Sequence, residues 1–233
     1  MILIMDKNDQ PYNRGDAYEK KLFDALQKKG VLAPGTHRAG AGTGPDLKFS
    51  HRTRIYNLEA KLDLKADYGQ KMLKWSKDQG WSWCKQDKVT ALYNALNVLT
   101  YLNSKGRIPN KHRKENIDLT ILDKKQDQLM FEDTSLHVDI NALRTYYESK
   151  DVFYIQIGDG FGFYYLSNDQ ADLSVPQFNA DFTLRLRAKT INSKPLYSYG
   201  FYAVLKVRLR PRPLKSSFNI ETESGTKFPP ISP

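Results

Sequence analysis

A chain of 233 residues, 40% hydrophobic and 27% charged, has enough apolar content for one large core or two small ones and lacks the composition of a disordered protein. No apolar run approaches the ~20 residues of a membrane-spanning helix, and the opening Met1–Met5 is too short for the apolar centre of a signal peptide. A single cysteine, Cys84, excludes an internal disulfide and points to a reducing, cytoplasmic compartment, while 36 Lys+Arg against 26 Asp+Glu leave a net charge of +10 that favours nucleic acid over a membrane as partner.

From Arg14 to Gly30 the spacing predicts a helix, with Asp16 as its cap, Leu22, Phe23, Ala25 and Leu26 as its buried stripe and Gly30 as its stop. Residues 42–63, GTGPDLKFSHRTRIYNLEAKLD, read next as a hairpin turning over His51–Arg54. In that register Ser50 faces Ile55, Phe49 faces Tyr56, Leu47 faces Leu58, and Asp46 falls opposite Glu59. Alternation gathers Leu47, Phe49, Tyr56, Leu58 and Ala60 on one face and Asp46, Glu59 and Lys61 on the other. Directly opposed Cβ atoms lie about 5 Å apart, so the carboxylates converge. Like charges that close need a cation between them, and oxygen-only ligation suits Mg²⁺, which keeps several waters and sits near substrate phosphate. With a lysine alongside to serve the attacking water or a phosphate oxygen, the inventory fits phosphodiester hydrolysis.

Further along, the pattern to about Gly106 is more helical, clearest in Lys88–Gly106, where Val89, Leu92, Tyr93, Leu96 and Thr100 share a face. Glu115–Asp133 reads as two strands joined by a polar turn, and Ile140–Lys150 as a helix. The chain then turns β-rich: paired strands around Gly158–Gly162, and a second pair, Asp181–Thr190 and Gly200–Arg210, around Ile191–Pro195. Arg185, Arg187 and Lys189 alternate with Phe182, Leu184, Leu186 and Ala188 in one of these strands. Lys206, Arg208 and Arg210 alternate with Ala203, Leu205, Val207 and Leu209 in the other. Such a two-stranded ribbon suits a DNA major groove, although a solvated basic face shows the same alternation. Asn103–Asn116 is a basic loop whose Lys111 and Arg113 suit phosphate contact. Cys84 reads as a buried thiol, and Pro211–Pro233 as an arm or tail rich in Pro, Ser and Gly.

Pro45-Asp46, followed after twelve residues by Glu59-Ala60-Lys61, resembles the signature of the PD-(D/E)XK, or restriction-endonuclease-like, nuclease superfamily. The resemblance spans Asp16 to Gln70. It implies a mixed α/β fold in which helices flank a central mixed sheet; with the patterns along the chain, this gives a nuclease core (1–110), a β-rich DNA-recognition part sharing that core (111–212) and a flexible tail (213–233). It also implies catalytic Mg²⁺, with Mn²⁺ able to substitute, held by Asp46, Glu59 and the Ala60 carbonyl, with Lys61 serving the water. Glu19 matches the glutamate that members often carry on the preceding helix, but it also matches a capping box begun by Asp16. Gln70 matches a glutamine on the helix after the lysine, and GTHRAGAGTGPD, which contains Arg38, looks like the approach to the first acid. Acid-x-Lys recurs at Asp63–Lys65, Asp123–Lys125 and Glu148–Lys150. Only the first continues the Glu59 face, and it lacks an acid across the hairpin.

Taken together, these features point to a Mg²⁺-dependent endonuclease on double-stranded DNA, most like a small type II enzyme of a restriction–modification system. A palindromic site would call for a homodimer. Two alternatives stand beside this reading: a junction-resolving or phage-type nuclease selective for DNA structure, and a nucleic-acid-binding module without catalysis.

Overall fold

The computed structural model describes residues 13–37, 44–114, 119–190, 199–221 and 228. The fold is mixed α/β. In chain order the elements are α1 (Arg14–Lys28), β1 (Leu47–His51), β2 (Arg54–Lys61), β3 (Tyr68–Ser76), β4 (Gly80–Trp83), α2 (Lys88–Ala95), α3 (Val98–Ser104) and α4 (Asn110–Arg113). There follow α5 (Ile121–Phe131), β5 (Asp133–Val138), α6 (Ile140–Ser149), β6 (Val152–Ile157), β7 (Gly162–Tyr165), β8 (Phe182–Thr190) and β9 (Tyr199–Val207). Among the described residues no helix is long and apolar enough to cross a membrane.

These elements form two compact units, and neither follows the expected division at 110/111. One unit draws on Met1–Ala66, Tyr147–Asn179 and Arg212–Pro233. Its sheet has the order β1-β2-β6-β7, antiparallel except for the parallel pair β2–β6. The hairpin register is the expected one, from Leu47↔Leu58 through Ser50↔Ile55, and is closed by a further pair, His51↔Arg54. The turn is therefore tighter than His51–Arg54, with Arg52 in the left-handed region at φ 53°. Leu22 and Leu26 of α1, Leu47 and Phe49 of β1, Leu58 of β2 and Tyr154 of β6 form the core, each at most 1% exposed.

Helix α1 begins one turn before the expected cap. Asn13 is the N-cap, its side-chain oxygen accepting from the Gly15 and Asp16 amides at 2.9 and 3.1 Å. Asp16 is thus already inside the first turn, and a capping box no longer accounts for Glu19. Beside α1, the Gly158 amide bonds the Lys61 carbonyl at 2.8 Å. A Cβ at Gly158 would lie 2.3 Å from the Leu62 carbonyl oxygen and 3.0 Å from the Tyr18 ring, so only glycine lets these elements close up.

The expected tail is instead part of this unit where it is described. Phe163 donates to the Phe218 carbonyl at 2.7 Å, Ile220 is 3% exposed within the core, and the Ile220 amide bonds Gln156 Oε1 at 3.2 Å. Buried apolar side chains and satisfied amides, more than Pro and Gly content, decide whether such a segment is ordered.

The second unit draws on Asp67–Tyr146 and Ala180–Pro211, and its antiparallel sheet has the order β4-β3-β9-β8-β5. Three expectations change here. The stretch after Asp67 is a hairpin, β3–β4, rather than helical, stabilised by the cross-strand pairs Leu73↔Trp83 and Trp75↔Trp81. The long helix expected from Lys88 breaks at Asn97, which takes φ 54° between α2 and α3. Of Glu115–Asp133, the described part is α5 leading into β5. Thr120 and Asp123 make a reciprocal capping box, and Asp127, fully buried, accepts from the Asn110 and Lys111 amides and from the Tyr199 hydroxyl. Acids face inward here while Ile121, Leu122 and Leu129 are exposed, which inverts the usual hydrophobic pattern and hides the helix. Cys84, expected buried, is exposed.

Ile220→Ala should cost about 2–4 kcal/mol and lower the thermal midpoint by several degrees if residues 212–221 are structural. An unchanged midpoint would return this segment to the role of an idle arm.

Candidate active site

Period-two alternation places Asp46, just ahead of β1, and Glu59, in β2, on the face away from the Leu47–Phe49–Leu58 core. Asp46 Oδ2 accepts the Ala60 amide at 2.8 Å, which fixes the carboxylate against β2. Because β2 lies between β1 and β6, Glu59 is only 5% exposed. Its Oε1 lies 2.6 Å from Lys61 Nζ and accepts the Tyr147 hydroxyl at 3.1 Å; its Oε2 lies 3.6 Å from Lys150 Nζ. Glu19 projects from α1 into the same electrostatic neighbourhood, feeling Asp46, Lys61 and Glu59. The structure thus brings Glu19, Asp46, Glu59, Ala60 and Lys61 together.

Charge states follow from burial and neighbours. Burial, then the charge of Glu59, pushes the Asp46 carboxyl up to about 6. Burial, then the charge of Asp46, pushes Glu19 up to about 7. Burial opposes ionisation of Glu59 as well, but Lys61 and Lys150 outweigh it and hold this carboxyl below its ordinary value. One carboxylate is therefore firmly ionised, and two others are poised near neutrality.

The donors available to a cation are all hard oxygens. Among the described residues no group of three or more His, Cys, Asp or Glu side chains is gathered as a metal site. Mg²⁺ commonly binds through one or two carboxylates and keeps its waters, so the Asp46–Glu59 pair suffices for it. Glu19 Oε2 and Glu59 Oε2 are buried and accept no hydrogen bond, and Asp46 is strained by its like-charged neighbour. A divalent cation relieves both conditions, and in that sense the residues fit it.

The remaining expected residues divide. Gln70 is exposed on strand β3, in the second unit, and not on a helix. Lys65 and Asp63 form a turn after β2, where the Lys65 amide bonds Asp63 Oδ1 at 2.7 Å, so this acid-x-Lys leaves the strand face. Arg38 lies outside the described residues. In the second unit, β8 and β9 are interior strands between β5 and β3, not a free ribbon. Their faces alternate as expected, but the cations are compensated. Arg185 pairs with Glu132, Arg187 and Lys206 both pair with Asp67, and Arg208 pairs with Asp181. These acids all precede Phe182–Ile220, a stretch of sequence that contains no Asp or Glu. Lys111 donates to the Tyr199 carbonyl and lies 4.8 Å from the centre of that ring, so it is committed internally. Lys189, Arg210 and Arg113 are exposed.

Two residues at the acidic cluster, Tyr147 and Lys150, were not selected by their pattern. Lys150 belongs to the acid-x-Lys match Glu148–Lys150, which does not continue the Glu59 face in sequence, and only the pairing of β6 with β2 brings it to Glu59. No protein-family model matches the chain, and neither does any curated protein or solved structure.

Asp46 has a folded-state pKa above its ordinary 3.8, so its stabilising contribution is complete below pH 3.8 and is lost as pH rises through about 6. Asp46→Asn keeps an acceptor for the Ala60 amide and should remove that penalty. Relative to the parent, it should be more stable at pH 8 by on the order of 2–3 kcal/mol and nearly equal at pH 4. Thermal unfolding at the two pH values checks this; an equal difference at both would disprove the buried charge.

Proposed function

We propose that the chain is a Mg²⁺-dependent endodeoxyribonuclease of PD-(D/E)XK type that hydrolyses phosphodiester bonds in double-stranded DNA. The observation that supports it best is the convergence of Asp46, Glu59 and Lys61 on the non-core face of one hairpin, with Glu19 beside them. Asp46, Glu59 and the Ala60 carbonyl would hold the ion. Bound there, it would supply Lewis acidity toward the phosphate and acidify a water.

The side chains supply the rest. Glu59, held ionised by two lysines, keeps its negative charge in a buried place. Lys61, 2.6 Å from Glu59, can turn to a phosphate oxygen or to the attacking water, where its ammonium stabilises developing charge. Glu19, poised near pH 7, can accept a proton from that water or stay protonated when the site is empty of cations. Exposed Lys189, Arg210 and Arg113 are proposed to contact DNA phosphates, with Arg38 as a further candidate.

The primary form of this reading is a type II restriction enzyme acting as a homodimer in a reducing cytoplasm. A second form, cleavage selective for DNA structure, gains support from one observation: Arg185, Arg187, Lys206 and Arg208 are already ion-paired on an interior part of a sheet. Ion pairs at the partly exposed surface of a sheet can exchange, so these four cations suit phosphate better than rigid base-edge readout.

Plasmid and branched DNA, each with Mg²⁺ and with EDTA, test the proposal. Discrete Mg²⁺-dependent fragments support a restriction enzyme, and resolved branches support the second form. Asp46→Ala and Lys61→Ala should each lower the rate by on the order of 10²–10⁴-fold while DNA binding persists. Cleavage unchanged in both variants would leave only a binding module. Removing Lys189 or Arg210 should weaken binding to all sequences alike and lower the slope of log affinity against log salt by about 1 each. A slope that does not move would clear them of phosphate contact.

A further inference from the structure

Glu59 has a lysine beside each of its oxygens. Lys61 stands at Oε1, and Lys150 stands 3.6 Å from Oε2 with its side chain only 12% exposed. Lys150 Nζ also lies 5.6 Å from the centre of the Tyr147 ring, whose hydroxyl donates to Oε1. Lys150 precedes the residue that joins α6 to β6. That residue, Asp151, takes φ 58°, and its carbonyl and carboxylate oxygens accept from Asn57 Nδ2 at 2.9 and 3.2 Å. The turn carrying Lys150 is thereby tied to β2 two residues before Glu59.

This arrangement answers a difficulty in the nuclease reading, on which the inference rests. Lys61 is placed to serve water or phosphate, yet it is also a counter-ion of a buried carboxylate. Were it the sole side-chain cation there, each departure before a divalent cation is bound would strand an uncompensated buried charge, which is strongly unfavourable. We propose that Lys150 is a positioning residue of the same centre: it retains Glu59 through Oε2, so that the carboxylate keeps its place when Lys61 leaves Oε1 for water or phosphate. Tyr147 completes the cradle by orienting Oε1. Lys150 acts through Glu59 and does not touch the substrate.

The full-length chain carrying Lys150→Met or Lys150→Arg tests this, with two readouts. The first is a thermal double-mutant cycle without DNA or metal: Lys150→Met should lower the midpoint in the parent and leave it unmoved in a Glu59→Gln background. Additive effects would overturn the inference, because Lys150 would then not act through Glu59. The second is Mg²⁺-dependent plasmid cleavage, where Lys150→Met should reduce kcat at least about tenfold with KM within about twofold, the pattern of misplaced geometry. Lys150→Arg, which keeps the charge, should recover most of that loss. Cleavage by Lys150→Met within about twofold of the parent, or a loss that Lys150→Arg does not recover, would overturn the inference while the nuclease reading stands. A parent that cleaves no DNA with Mg²⁺ would overturn the nuclease reading, and with it the purpose assigned to Lys150, whatever contact the cycle registers.

Discussion

Side chains alternate along a strand with a period of two, and that constraint governs the molecule's most unusual feature. A hairpin that buries Leu47, Phe49, Leu58 and Ala60 in one core has to carry Asp46 and Glu59 together on its opposite side. Slipping β2 by one residue against β1 would separate the acids but turn Leu58 and Ala60 away from the core. The core therefore enforces the electrostatic crowding, and the addition of β6 beside β2 removes the water that would have screened it.

Crowded acids in a dry place are costly to a fold unless something compensates them. Compensation is uneven: Glu59 has two lysines, Lys61 and Lys150, although its Oε2 accepts no hydrogen bond, Asp46 has a single amide, and Glu19 Oε2 has no hydrogen-bond partner. Added positive charge would relieve the repulsion between such acids.

Much of this was legible in the sequence because it is local. The hairpin register follows from five apolar positions and their spacing, and α1 from its stripe of Leu22, Phe23 and Leu26. What was not legible depended on distant partners. Lys150 meets Glu59 only through a parallel strand pair, a relation that no local spacing encodes. The arginines of β8 and β9 stand in an acid-free stretch of sequence, but Glu132, Asp67 and Asp181 reach them in space. The pattern of α5 does not look helical because its buried residues include Asp123 and Asp127, so that polarity marks the inside and leucine the outside. The tail misled for a related reason: its Pro and Ser content says little about whether Ile220 finds a hole to fill.

The unit that holds the acidic cluster is assembled from three separated stretches of chain, with the segments of the second unit between them. During synthesis, Asp46 and Glu59 emerge long before Lys150, and Lys150 long before Ile220. Until the last of these stretches has left the ribosome, β2 lacks its inner neighbour or the core lacks part of its filling, and contacts so far apart in sequence form slowly. The interleaving therefore ties completion of the acidic cluster to the last-made stretches of the chain.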